Sequence, residues 1–209
     1  LGRQPRPAQR GRLDLKTLLR RNLQYGGLPV ELAWRKKRRV KPDIISLCDI
    51  SSSVWHTARF MLQFLYTVQE QCSRVRSFVF VADLEEVTAL FERHDLEQAI
   101  DLAFRRDYYE RSDYGGVLTG FCQRYLDAVN NRTTILIIGD ARNNWLPAHT
   151  GALQAIQERA RRIVWLNPEM ASQWGSGDSI MPLYRPYCTV ATECRNLQQL
   201  GRIVERLFL

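Results

Sequence analysis

Asp43-Ile44-Ile45-Ser46-Leu47-Cys48-Asp49, running straight into Ile50-Ser51-Ser52-Ser53, joins a nearly unbroken apolar run to a cluster of small oxygen-bearing side chains. A run that apolar, without strict alternation, marks a strand covered on both faces. Beyond it Val54, Ala58, Met61, Leu62, Leu65 and Val68 recur at helical spacing, so residues 43–70 predict one strand-then-helix unit.

The same alternation continues toward the C-terminus. Val75–Val81 and Val87–Phe91, with a turn near Asp83, predict a hairpin, and Leu96–Phe104 a helix. A tyrosine-rich polar loop over 105–114 leads to a helix from Gly115 to about Val129, a strand over Thr133–Asp140, a helix from about Thr150 to Ala160 and a strand over Ile163–Leu166. Residues 167–186 read as loop, and Leu197–Leu207 as a closing helix. The expectation is an α/β domain over residues 43–209: a doubly wound, Rossmann-like, mostly parallel sheet flanked by helices. Ligands on such sheets bind beyond the C-terminal ends of the strands.

Toward the N-terminus the character changes. Residues 1–12 are rich in Pro, Gly and Arg, and the leucines at 13, 15, 18, 19 and 23 predict a short amphipathic helix stopped by Gly26-Gly27. Residues 1–42 are thus expected to form a basic tail with a short helical extension. They hold 13 Lys/Arg against 2 Asp/Glu, including the run Arg35-Lys36-Lys37-Arg38-Arg39. The net charge of +8 over 209 residues is therefore an N-terminal property, and the body is mildly acidic.

A 45% hydrophobic and 25% charged composition excludes a mostly disordered chain. The five cysteines show neither C-x-x-C nor zinc-ligand spacing and read as reduced thiols, which with the lack of a spanning apolar run or a secretory leader pattern predicts a cytoplasmic protein. Leu1 in place of Met is what a piece of a longer protein would show.

Asp49-x-Ser51-x-Ser53 puts one carboxylate and two alternate hydroxyls at the end of a buried strand. A carboxylate unpaired there would be costly. Magnesium and similar hard cations take oxygen ligands and keep several waters, so a sparse Asp/Ser set suits them, whereas the turn lacks the His and Cys that favour zinc. Ser112, just before a predicted helix, and Asp140, ending a predicted strand, are the two further oxygens that the topology would bring to the same edge. Asp and Ser are also good turn and N-cap residues, which is the alternative reading of the motif.

D-x-S-x-S after the first strand, a hydroxyl residue followed by x-x-G before a helix, and an Asp after a later strand resemble the metal-ion-dependent adhesion site of von Willebrand factor A domains. Leu13-x-Leu15-x-x-x-Leu19-Arg20 before a Gly-Gly, the basic run, Phe78-Val79-Phe80 and Val164-Trp165-Leu166-Asn167-Pro168 are together similar to the CoxE-like branch of that family. The resemblance implies that Ser51 and Ser53 contact a divalent metal (Mg2+, or another such as Mn2+), with Asp49 and Asp140 acting largely through water or through the ligands, and Ser112 standing where Thr is usual. It also implies a non-enzymatic adaptor: a partner protein's Asp or Glu completes the metal's coordination, and a MoxR-type AAA+ ATPase is the implied partner in maturing or remodelling a client complex. Ser52, Val54 and Ala141-Arg142 depart from the usual Gly, Met and Gly, which bears on metal affinity rather than on fold.

Trp55, Tyr108, Tyr109, Tyr114 and Trp145 lie next in sequence to these oxygens, and aromatics around a polar anchor are what protein interfaces favour. All five are therefore candidate partner-binding residues, with core packing as the alternative for Trp55 and Trp145. Two other functions remain in view. The basic run could bind nucleic acid, although no recognisable nucleic-acid module accompanies it. A metal-bound water could hydrolyse a phosphoester, with Asp113 as the available base, although no P-loop, H-E-x-x-H or G-x-S-x-G motif is present and His56, His94 and His149 are scattered.

Overall fold

A computed structural model describes residues 43–54, 58–59, 62, 73–104, 111–196, 198–200 and 202–203. The expected N-terminal helix, the basic run, Trp55, Tyr108 and Tyr109 lie outside these residues.

Six strands form one sheet: β1 (Asp43–Asp49), β2 (Arg74–Phe80), β3 (Leu84–Glu86), β4 (Thr133–Ile138), β5 (Arg162–Asn167) and β6 (Val190–Glu193), in the order β3-β2-β1-β4-β5-β6. Every pairing is parallel except the β2–β3 hairpin. The helices whose bounds lie among the described residues are α1 (Thr88–Arg93), α2 (Leu96–Ala103), α3 (Tyr114–Tyr125), α4 (Thr150–Arg159) and the short α5 (Met181–Tyr184), and residues 198–200 and 202–203, within the expected closing helix, are helical. Ala58, Arg59 and Leu62, within the helix expected after β1, are helical.

Period-two alternation sorts the strands' side chains into two cores. Ile44 and Cys48 of β1, Val79, Leu136, Ile138, Val164 and Leu166 pack with Ala58, Leu62 and the buried faces of α1 and α2. Ile45 and Leu47, with Phe78, Phe80, Ile135, Ile137, Ile163 and Trp165, pack with α3, α4 and α5. Burial on both faces explains why β1 reads as a continuous apolar run. After β1 the chain winds out through β2 and β3, then returns to β1's other side as β4. The winding direction reverses between β1 and β4, and such a reversal opens a crevice at the strands' C-terminal ends.

The expected strand over Val87–Phe91 is corrected to a strand over Leu84–Glu86 followed by α1. Val87 and Phe91, both buried, are four residues apart, the spacing of one helix face. Within the expected loop 167–186, Pro182 opens α5, where its missing N–H costs nothing. β6 was not anticipated: four half-buried edge residues are too few to show a period.

Candidate metal centre

Asp49 ends β1 and is fully buried. Its two oxygens are both occupied: Oδ1 accepts from the Ser51 backbone N–H at 2.7 Å, and Oδ2 from the Tyr114 hydroxyl at 2.7 Å. Ser51 Oγ lies 3.1 Å from Ser53 Oγ, which donates to Asp140 Oδ2 at 2.9 Å. Asp140 Oδ1 accepts from the Arg142 backbone N–H at 2.9 Å and from Tyr114 at 3.4 Å. Four of the five residues predicted as ligands thus stand in one hydrogen-bonded chain across the β1–β4 crevice. Asp49, Ser51 and Asp140 are buried, whereas Ser53 is exposed and marks the mouth.

Ser112 enters differently. It is buried, and its carbonyl accepts from Asn144 Nδ2 at 3.0 Å, while the next residue's N–H reaches Val81 O at 3.1 Å. Asp113, the base of the hydrolytic reading, is the N-cap of α3 and accepts from the Gly116 N–H at 2.8 Å.

Tyr114 is corrected from a partner-facing residue to a core one. It is 1% exposed, edge-on to Phe80 and stacked on Trp165. From there its hydroxyl reaches both carboxylates. The approach requires Gly139, where a Cβ would lie 2.0 Å from the Tyr114 oxygen and 3.0 Å from Asp49 Cβ. Sequence spacing alone offered no signal for this contact.

Burial, then the charge of Asp140, push the Asp49 carboxyl up to about 7, partly countered by its bonds from Ser51 and Tyr114. Burial likewise raises Asp140, against the Arg142 N–H and the Ser53 hydroxyl. Burial and the two carboxylates hold the Tyr114 phenol well above its ordinary value, so it remains a donor. Among the described residues no salt bridge reaches either carboxylate, and no cluster of three His, Cys, Asp or Glu forms a metal site. Two crowded buried carboxylates with serine hydroxyls fit a hard divalent cation, which would relieve their mutual repulsion.

The model of the family described as "VWA domain containing CoxE-like protein" matches residues 1–203. The chain belongs to this family. A comparison with curated protein sequences finds no match. Among solved structures, the CoxE-like chain is similar to the conserved hypothetical protein BatB from Bacteroides thetaiotaomicron (TM-score 0.54, 12% identity, 79% of this chain and 96% of that one). It is also similar to proximal thread matrix protein 1 from the mussel byssus, with a zinc-occupied MIDAS motif (TM-score 0.56, 12% identity, 81% and 47%). A third is the manganese-loaded Plasmodium vivax TRAP protein (TM-score 0.53, 12% identity, 79% and 72%). At these identities the likeness is one of fold.

The departures of this CoxE-like chain from the usual motif have structural counterparts. Ala141, where Gly is commoner, has φ 59°, a left-handed conformation that glycine adopts without penalty. It opens a loop tied down by buried Asn143, which accepts from the Tyr114 N–H at 2.7 Å and donates to the carbonyls of Leu146 and Pro147. Arg142 bridges Glu169 at 2.6 Å and Asp178 at 3.0 Å. Asn143, Gly139, the bridging role of Arg142 and the carboxylate-binding role of Tyr114 escaped sequence reasoning, because each acts through a partner distant in sequence. The four described cysteines (48, 122, 188 and 194) are free thiols, and among the described residues no helix is long and apolar enough to cross a membrane.

Proposed function

We infer that this CoxE-like chain is a non-enzymatic, metal-dependent protein-binding adaptor. Asp49, Ser51, Ser53, Ser112 and Asp140 would hold Mg2+ or a similar ion such as Mn2+, and an Asp or Glu of the partner would complete its coordination. The observation that carries this reading is the chain of oxygens from Asp49 through Ser51 and Ser53 to Asp140: two buried carboxylates, unpaired by any described cation, at the topological switch point. The zinc and manganese named for two structural neighbours support a divalent ion, and the family supports a protein as the partner. The bound ion supplies a positive, exchangeable position. The protein's own residues fix it at the crevice and leave the Ser53 side open to an incoming carboxylate.

The family resemblance further supports a MoxR-type AAA+ ATPase as the partner, with the pair maturing or remodelling a client complex in the cytoplasm. The test is calorimetric titration of the full chain with MgCl2 and MnCl2, followed by capture of a purified MoxR-type ATPase with either ion or with EDTA. Saturable metal binding and metal-dependent capture, both lost in Asp49→Ala, are expected. Capture that is equal in EDTA and in Asp49→Ala would sink the reading.

A further inference from the structure

Trp145 is 81% exposed and Leu146 beside it 41%. Trp145 is the most open of the described large apolar side chains, well beyond Leu183 at 52%, and Leu146 beside it extends the exposed apolar surface. The backbone beneath them is stranger. Asn144 and Trp145 are consecutive left-handed residues, at φ 50° and 64°, in a loop that also holds Ala141 and His149 at positive φ. For an L-residue this conformation brings Cβ against a carbonyl oxygen, and it persists only where the surroundings over-determine it.

The surroundings here are a set of clamps on either side of Trp145. The Asn143 N–H donates to Asp178 O and the Asn144 N–H to Asp178 Oδ2, while Asn144 Nδ2 holds Ser112 O. The Leu146 N–H returns to Asn143 O, and Asn143 Nδ2 holds Leu146 O and Pro147 O. The loop that carries the shelf starts at the centre, where the Arg142 N–H holds Asp140 Oδ1, and Asn144, next to Trp145, holds the carbonyl of Ser112, so the shelf stands on a loop that leaves the metal centre directly. Its charge is already settled: the Arg142 guanidinium is taken by Glu169 and Asp178. The rim therefore offers an incoming segment apolar surface, while the bound ion supplies the attraction for an acid.

We propose that Trp145 and Leu146 form a rigid apolar shelf beside the metal centre, and that the partner segment it fits carries a large aliphatic side chain next to its metal-binding Asp or Glu. This rests on the metal-dependent reading above. It adds the second anchor, in the manner of interfaces where a clamped aromatic accompanies a polar contact. The strained loop fixes the backbone that carries the indole before the partner arrives, so less backbone freedom is lost on binding.

The probes are two labelled capped pentapeptides, Gly-Leu-Glu-Leu-Gly and Gly-Gly-Glu-Gly-Gly, titrated by fluorescence anisotropy against the full chain in MgCl2 and in EDTA. In magnesium the leucine peptide should bind about fivefold to tenfold more tightly, the scale of one aromatic–aliphatic contact. Trp145→Ala should bring that ratio to about one and leave the glycine peptide's affinity unchanged. An unaltered ratio, or an equal loss for both peptides, overturns the shelf. Binding of neither peptide to magnesium-loaded protein, or binding equal in EDTA and magnesium, identifies a different failure, that of the metal reading, and removes the shelf's basis with it. Sedimentation of the magnesium-loaded chain alone is the last arm: a Trp145-dependent dimer would show that a second copy occupies the shelf, against the proposal.

Discussion

Replacing Tyr114 with Phe removes one oxygen from the centre, together with the bond that oxygen accepts from the Ala141 backbone N–H. The ring keeps its contacts with Phe80, Trp165 and Tyr184, while Asp49 loses the 2.7 Å bond to Oδ2 and Asp140 the longer one at 3.4 Å. A buried hydrogen bond to a charged group contributes about 2 kcal/mol. For a chain of this size that corresponds to a fall in Tm of roughly 4–8 °C in metal-free buffer. The cost should depend on pH with a definite sign. The Asp49 carboxyl is raised from 3.8 to about 7, so its contribution to stability is fully present below the unfolded value and is lost as pH rises through 7. Tyr114 is one of the groups that limits this rise. Without it the folded-state value climbs further, and the variant's deficit grows on going from pH 5 to pH 8. Thermal unfolding by circular dichroism in EDTA, at a series of pH values, measures it. A deficit of equal size at pH 5 and pH 8, or no deficit at all, would refute the assignment of Tyr114 as a donor to ionised Asp49.

Gly139→Ala should destabilise the fold by about 3 kcal/mol, because its Cβ would meet the Tyr114 oxygen; the double variant with Tyr114→Phe should recover part of that loss, as denaturant titration would show. Trp145→Gly should raise Tm in differential scanning calorimetry, gaining about 1 kcal/mol from relief of the left-handed backbone, since the indole is mostly exposed. Arg76 makes two bonds to Glu86, at 2.9 and 2.7 Å, and that pairing holds the Glu86 carboxyl below its ordinary value. Glu86→Gln should therefore cost about 1 kcal/mol or less at neutral pH, and the difference from wild type should shrink as pH falls through the carboxylate range, read by urea unfolding at pH 7 and pH 3.5.

The α/β architecture was legible because its evidence is local. A strand buried on both faces must be apolar along its length, as β1 and β4 are. A helix laid on a sheet must repeat its apolar residues at helical spacing, as α2 does with Ala99, Ile100 and Ala103. The Asp49-x-Ser51-x-Ser53 turn could be read for the same reason: a hydrogen-bonding cluster at a strand end is contained in five residues. The hairpin failed at Val87–Phe91 because five apolar-rich residues satisfy either period, and packing of Val87 and Phe91 against one core chose the helix.

Residue pattern was enough to read the sheet-and-helix order, the position of the oxygen-bearing turn and the family to which they point. That Asp140 closes the chain of oxygens through Ser53, that Tyr114 turns inward to hold both carboxylates, and that Trp145 turns outward, emerges only when the chain is packed. The reason is geometric. Tyr114 and Trp145 are both aromatics a few residues from a proposed ligand, and spacing treats them alike. What separates them is the setting of α3 against the sheet, the missing Cβ at Gly139 and the left-handed backbone of the 141–149 loop, each fixed by contacts between residues far apart in the chain.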